Sequence, residues 1–371
     1  MTAGFRDTTL LTLPTGWDAT ELQKLTLRDG YTYAQVAGDL NAALSAINGE
    51  IMNDPLWASL CYWTDMPTFE YRMGNSGAAE RHTEYGQPTP YRGVLDGHML
   101  PLEEWEAGLG WTKDYLRKGN REQIGADVQE VVRKVRDRFR QTTLTRLLKR
   151  GDDSGVALNL GSAGLSPGFA TTAASTGVDF TPPSMGGTSF ANTHEHYVGI
   201  SGGAWTLAAF QDMKSELREH GHEPPYDFIT GPSDEAAIRL LTGFVATPQW
   251  GVNYASTVSV ATVDGMADGN GNYMMGVIED IRIRIMRGVP QYYGFAWKSY
   301  GARSQRNPLR VRLEDGENAF RAYAELDPRQ GGSWPLAYLV TRFNFGVGVG
   351  DRTNGTPRYN NNATWADGTP T

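Results

Sequence analysis

An α+β fold is what this sequence predicts, on three observations. A long amphipathic stripe runs through residues 119–150, helical and strand-like segments alternate from about residue 195, and 44 glycines and 19 prolines divide the chain into many short elements. The 371 residues are 40% hydrophobic and 20% charged, a globular balance. That length holds two or three ordinary domains, or one elaborate domain with extensions.

Residues 1–60 read as an N-terminal arm and a short helix. The first 35 show neither helical nor strand periodicity, and a structureless terminus is ordered only where something holds it. A neighbouring chain is the expected support. Residues 36–52 then place Leu40, Leu44 and Ile47 on one helical face. Residues 61–117 alternate roughly, punctuated by Gly74-Asn-Ser-Gly77 and by proline pairs, which is the pattern of a long two-stranded ribbon. Such a ribbon is barely stable alone and needs a surface to lie on.

Residues 118–194 hold the strongest signal. Ile124, Val128, Val131, Val135 and Phe139 step by three or four and define one apolar stripe. About thirty helical residues span roughly 45 Å. The second half of this helix carries Arg133, Lys134, Arg136, Arg138, Arg140, Arg146, Lys149 and Arg150 against only Asp137, a local reversal of sign in a chain of net charge −8. These eight are the candidate residues for facing DNA or acidic patches on neighbouring subunits. A solvated face, with cations favoured near a helix C-terminus, also accounts for them. Residues 151–193 are rich in Gly, Ser and Thr; a connection this long is expected to rest on another subunit.

Residues 195–305 alternate: an amphipathic helix over 204–219, a buried strand at 226–230, and a second helix capped by Ser233. Strands follow near 256–263 and 274–287, joined by the turn Asp268–Asn272, and near 291–299. Residues 306–350 add strands near 308–313, 319–326 and 336–349. The polar tail 351–371, with Asn360, Asn361 and Asn362 in a row, reads as a surface extension.

Composition bounds the function. Cys61 is the only cysteine, so no intrachain disulfide forms and assembly in a reducing cytosol fits. Residues 1–30 lack the basic start and apolar run of a signal peptide, and no stretch approaches the roughly 18 apolar residues of a membrane span. The net charge argues against a nucleic-acid reader overall. Arginine outnumbers lysine 27 to 7, which suits planar contacts at interfaces, although a GC-rich genome produces the same bias.

Candidate chemistry is thin, and no catalytic residue, cofactor or metal is expected. Gly199-Ile-Ser201-Gly-Gly203 matches the nucleophile elbow of serine hydrolases between a possible strand and a helix. That chemistry needs an acid and then a histidine after the serine; only His220 and His222 follow, at the end of the next helix, and residues 223–371 contain none. Asp153-Ser-Gly155 lacks the second arm of an aspartic-protease dyad. His194-Glu-His196 and His220-Gly-His222 have metal-ligand spacing, but the expectation is that they are solvent-exposed. Asp268, Asn270, Asn272 and Glu279 fit four positions of a calcium loop, with Tyr273 where that loop needs glycine, so a hairpin turn is expected. Gly346-Val-Gly-Val-Gly350 lacks the spacing of a dinucleotide fingerprint.

The order of parts and three stretches carry a resemblance. GQPTPYRGVLDGHMLPL (86–102) leads toward the basic helix; YDFITGPSDEAAIRLLTG (226–243) is a strand, a polar turn and an Arg-Leu-Leu helix; PLAYLVTRFNFGVGV (335–349) closes the strand set. Together they resemble the major capsid proteins of tailed phages, with the Hong Kong ninety-seven fold. The resemblance implies an N-arm, an E-loop, a P-domain with its spine helix, and a mixed A-domain. It implies a virion protein, assembled in the host cytoplasm, that forms hexamers and pentamers in an icosahedral shell around double-stranded DNA held by non-specific contact. Implied partners are other copies of the chain, a separate scaffolding protein, a portal protein and a decoration protein, with no membrane. Some members cross-link an E-loop lysine; between Thr64 and Trp111 this chain has none, so no such cross-link is expected. Some are cleaved during maturation, and none is expected here. An encapsulin-like compartment shares the fold and is one alternative; a serine hydrolase using Ser201 is the other.

Overall fold

The structure is a computed structural model that describes residues 26–73, 94–151, 167–170, 180–185, 188–246, 272–326 and 336–370. The first part of the expected arm, the ribbon tip at 74–93, Asp153 and most of the Gly/Ser/Thr-rich connection lie outside these residues. So do the strand expected at 256–263 and turn residues 268–271.

In chain order the first elements are α1 (Tyr33–Asn53), α2 (Pro55–Leu60), β1 (Cys61–Thr64), β2 (Thr68–Met73), β3 (Val94–Met99) and β4 (Glu103–Thr112). Next come α3 (Lys113–Lys118), α4 (Arg121–Leu148), β5 (Val198–Gly199), α5 (Leu207–Glu219), β6 (Tyr226–Thr230) and α6 (Glu235–Arg239). The remaining strands are β7 (Phe244–Ala246), β8 (Tyr273–Ile278), β9 (Ile281–Ile285), β10 (Tyr293–Trp297), β11 (Leu309–Arg312), β12 (Ala322–Leu326), β13 (Leu336–Val349) and β14 (Thr356–Tyr359). They fall into two compact units, one of Met1–Asp54, Glu103–Phe139 and Glu317–Phe345, the other of Pro55–Leu102, Arg140–Gly316 and Gly346–Thr371.

In the first unit, Thr32 starts α1 through a reciprocal capping box: its hydroxyl accepts from the Gln35 amide at 3.3 Å and its amide donates to Gln35 Oε1 at 2.8 Å. Val36, Leu40, Leu44, Ile47 and Ile51 form the buried stripe that the sequence pattern demands. The long helix predicted over 119–150 begins later, because Asn120 and Gln123 cap α4 reciprocally and leave α3 as a separate turn. Ile124, Val128, Val131, Val135 and Phe139 are all buried, and the Phe139 ring lies 5.7 Å from Phe320 and 5.4 Å from Phe345.

The ribbon reading of 61–117 is too long. Residues 103–112 are not ribbon but β4, paired antiparallel with β13 from Thr112↔Leu336 to Glu103↔Phe345, while β12 pairs along β13 as well. Alternation in β4 places Trp105, Ala107, Leu109 and Trp111 on its more covered face, as in any half-buried strand. The ribbon itself is β2 with β3, a two-stranded sheet of its own running from Thr68↔Met99 to Met73↔Val94.

The second unit is built on a seven-stranded sheet in the order β5-β14-β10-β6-β9-β8-β7. Tyr226–Thr230 is buried at every position, as a central strand should be, and joins Trp205, Phe210, Met213, Leu217 of the α5 region with Ile281, Ile283 and Ile285 in one core. Three expectations are corrected here. Residues 274–287 are not one strand but the hairpin β8–β9, turning at Glu279, whose φ is 49°. Ser233 caps nothing: a single 3-10 turn over Pro232–Asp234 precedes the short α6, and buried Asp234 accepts from Thr230 Oγ1 and the Tyr292 amide. The first half of the tail is no surface extension, since β14 runs between β5 and β10 and Arg352, Asn354, Arg358 and Asn360 are buried, whereas Asn361 and Asn362 are exposed as expected. Hydrogen bonds offset part of that burial: Asn354 donates to the Lys298 and Arg306 carbonyls, and Arg358 pairs with Glu216.

The glycines at 346 and 350 have a packing role. A Cβ at Gly346 would lie 1.8 Å from the Pro101 carbonyl oxygen, and one at Gly350 would lie 2.5 Å from the Arg310 guanidinium. Both mark close approach along and just beyond β13 rather than a phosphate cradle.

Candidate functional site

The eight basic residues of the spine do not form one cationic face. Arg133 is exposed but pairs with Glu130 at 2.6 Å and Asp137 at 2.7 Å, and that guanidinium holds the Glu130 carboxyl below the usual carboxylate range. Arg136 reaches Glu50 at 2.7 Å, and Arg138 stacks 4.1 Å above the Trp105 ring. Lys134 is exposed. In the second unit, Arg146 is only 1% exposed and donates to the carbonyls of Lys149 and Gly151, which closes the helix C-terminus. That burial removes Arg146 from any DNA-facing surface. Arg140 and Lys149 are half-buried, and Arg150 pairs with Glu195 at 2.9 Å. Arg133 and Lys134 are thus the exposed pair of the eight.

Ser201 is exposed and lies in a turn with Gly202 at φ 130° and Gly203 at φ 67°. Helix α5 starts only at Leu207, so Ser201 does not stand on the tight strand-to-helix elbow that hydrolase chemistry uses. The histidines after it are engaged elsewhere. His222 Nδ1 meets Tyr300 Oη at 2.8 Å and Nε2 meets Thr353 Oγ1 at 3.1 Å. Of the calcium-loop candidates that are described, Asn272 accepts from the Arg287 amide, and Glu279 accepts from Gln211 and Lys214 of α5.

The expectation of solvent-exposed histidines is overturned. His196, His220 and His222 are buried and His194 is half-buried. His194 and His196 come from the stretch before β5, and His220 is the C-cap of α5. Their Nε2 atoms converge, at 3.0 Å between His194 and His196 and 2.9 Å for each of the other two pairs. Glu219, which spacing did not single out, brings Oε1 to 3.2 Å from His194 Nε2. Gly221, at φ +77°, turns the chain so that His220 joins this group and His222 does not. Burial lowers the basicity of all three imidazoles, His220 to about 2, while burial and the nearby Glu216 push the Glu219 carboxyl up.

No described helix is long and apolar enough to cross a membrane. No protein-family model matches the sequence, and no curated protein matches it. Solved structures do match. One from Mycobacterium phage Patience aligns over 92% of this chain and 93% of its own, at TM-score 0.64 and 16% identity. The bacteriophage PhiM1 mature capsid aligns over 83% and 88% at TM-score 0.48 and 11% identity, and a native GTA particle capsid over 85% and 90% at 0.47 and 12%. With a ribbon, a 28-residue spine helix and a mixed helix–strand unit in the same chain, the molecule has the tailed-phage capsid fold of the Hong Kong ninety-seven type.

Proposed function

We propose that this chain is the major capsid protein of a tailed phage, a structural protein without catalytic role. It assembles as hexamers and pentamers into an icosahedral shell enclosing double-stranded DNA. The observation that carries this reading is the fold, shared with the Mycobacterium phage Patience structure over 92% of the chain. The β2–β3 ribbon supports it, because a two-stranded sheet is marginal by itself and a shell offers it an adjoining subunit to lie on. The unsuited geometry at Ser201 weighs against the hydrolase.

The partners in this reading are copies of the chain, a separate scaffolding protein, a portal protein and a decoration protein. Assembly takes place in the host cytoplasm and the product is the virion. Contact with packaged DNA is electrostatic and independent of sequence in this reading, and the exposed Arg133 and Lys134 are the spine candidates for it. Electron microscopy of the full chain, expressed with and without a scaffolding protein, tests the reading. Closed uniform particles or hexamer rings are expected. A stable monomer at high concentration overturns it, and closed particles that select protein cargo instead of DNA point to an encapsulin-like compartment.

A further inference from the structure

We propose that His194, His196, His220 and Glu219 form a closed four-ligand site for a divalent transition-metal ion of the zinc class. The proposal does not depend on whether the chain builds a shell. Two segments supply the donors: the approach to β5 gives His194 and His196, and the end of α5 gives Glu219 and His220. Besides the three Nε2 atoms, Glu219 Oε1 lies 3.2 Å from His194 Nε2 and 3.7 Å from His220 Nε2. All four ligand atoms lie within 4.8 Å of one another.

Hydrogen bonding alone does not account for the three nitrogens. His196 Nδ1 lies 2.7 Å from the Gly355 carbonyl oxygen, which can only accept. A neutral ring has one proton, so it sits on Nδ1 and His196 Nε2 presents a bare lone pair. At most two N–H groups then remain for three short edges. One cation between the three nitrogens meets all three lone pairs. A tetrahedral ion with bonds of about 2.05 Å spaces its ligands about 3.3 Å apart, a few tenths of an ångström wider than the observed edges.

The surroundings fit the same ion. The His196 bond to Gly355 is the outer contact that metal-bound imidazoles use to fix their tautomer. Arg358 pairs with Glu216, the other carboxylate near the group. The Phe190 ring covers the group, 4.4 Å from His220 and 5.0 Å from His194. Three imidazoles and a carboxylate suit zinc, and four protein donors leave no open position, so the site is structural. It ties the end of α5 to the approach of β5 and, through Gly355, to the start of β14.

Metal analysis of the full chain purified without chelator, and Co2+ titration of chelator-treated protein followed by visible absorption, test this. About one ion per chain and the intense bands of tetrahedral Co2+, displaced by Zn2+, are expected. His194→Ala and Glu219→Gln alter the two least buried ligands, and each should weaken Zn2+ binding at least about tenfold, the lower end of what even an outer-contact change costs. If His194→Ala does not fold, Glu219→Gln decides alone. Absence of stoichiometric metal and of the tetrahedral spectrum, or Zn2+ affinity unchanged in the folded variants, overturns the proposal and leaves a hydrogen-bonded histidine cluster only.

Discussion

A methyl group at Gly346 would meet the Pro101 carbonyl oxygen at 1.8 Å and its carbon at 2.4 Å. Both are backbone atoms, so no side chain can swing aside. Gly346→Ala is expected to cost more than about 4 kcal/mol or to prevent folding, read as a lowered urea midpoint or loss of soluble protein. His98 makes a prediction of another kind. Its Nε2 meets the Val349 carbonyl at 2.8 Å, and burial, reinforced by Arg352, lowers its pKa from 6.5 to about 3. Between those values the unfolded chain binds a proton that the folded chain refuses. The stability tied to neutral His98 is therefore complete above about pH 6.5 and drains away as pH falls toward 3, by up to about 1.4 kcal/mol per unit. Urea midpoints taken at about pH 7 and about pH 4.5 should converge in His98→Gln relative to the parent chain. An unchanged acid slope would show that His98 is protonated without cost. Neither effect is visible in the sequence, because both depend on which backbone lies opposite.

Helix α4 shows what a sequence does reveal about an element and where it stops. Its apolar stripe was legible because Ile124 to Phe139 repeat at helical spacing and all five are buried. Its basic half was legible only as charge. Spacing could not show that Arg138 stacks on Trp105, that Arg136 reaches Glu50, or that Arg146 turns inward onto carbonyls, since long side chains choose partners that helical periodicity does not encode. Near the helix start, Gly125 is exposed and a Cβ there meets nothing within 4 Å. Gly125→Ala should therefore raise stability by up to about 1 kcal/mol, measured by thermal or urea unfolding. Lys134→Glu should leave stability within about 0.5 kcal/mol, and it should lower the slope of duplex-DNA affinity against salt by about one. A salt slope identical to the parent chain would remove Lys134 from the DNA-facing surface. The ribbon carries its own expectation. With no lysine between Thr64 and Trp111, assembled shells boiled in SDS should run as a single monomer band.

Across the whole molecule, the order of helix, ribbon and mixed unit could be read from periodicity, whereas two features escaped it. The histidine group unites residues 26 positions apart through a turn at Gly221, and no linear spacing encodes that meeting. The stretch from Asp351 was misjudged for the opposite reason: its polar composition looks solvated, yet Asn354 and Arg358 are buried and hydrogen-bonded inside the second unit. The place of β14 has a temporal meaning. Residues 356–359 are the bridge between β5 at 198–199 and β10 at 293–297, and those two strands do not pair with each other in the sheet. A chain emerging from the ribosome cannot close this sheet until its residues beyond 359 are free. Chains stopped short of that point would keep a gap where the bridging strand belongs, so synthesis itself screens which copies can complete the second unit.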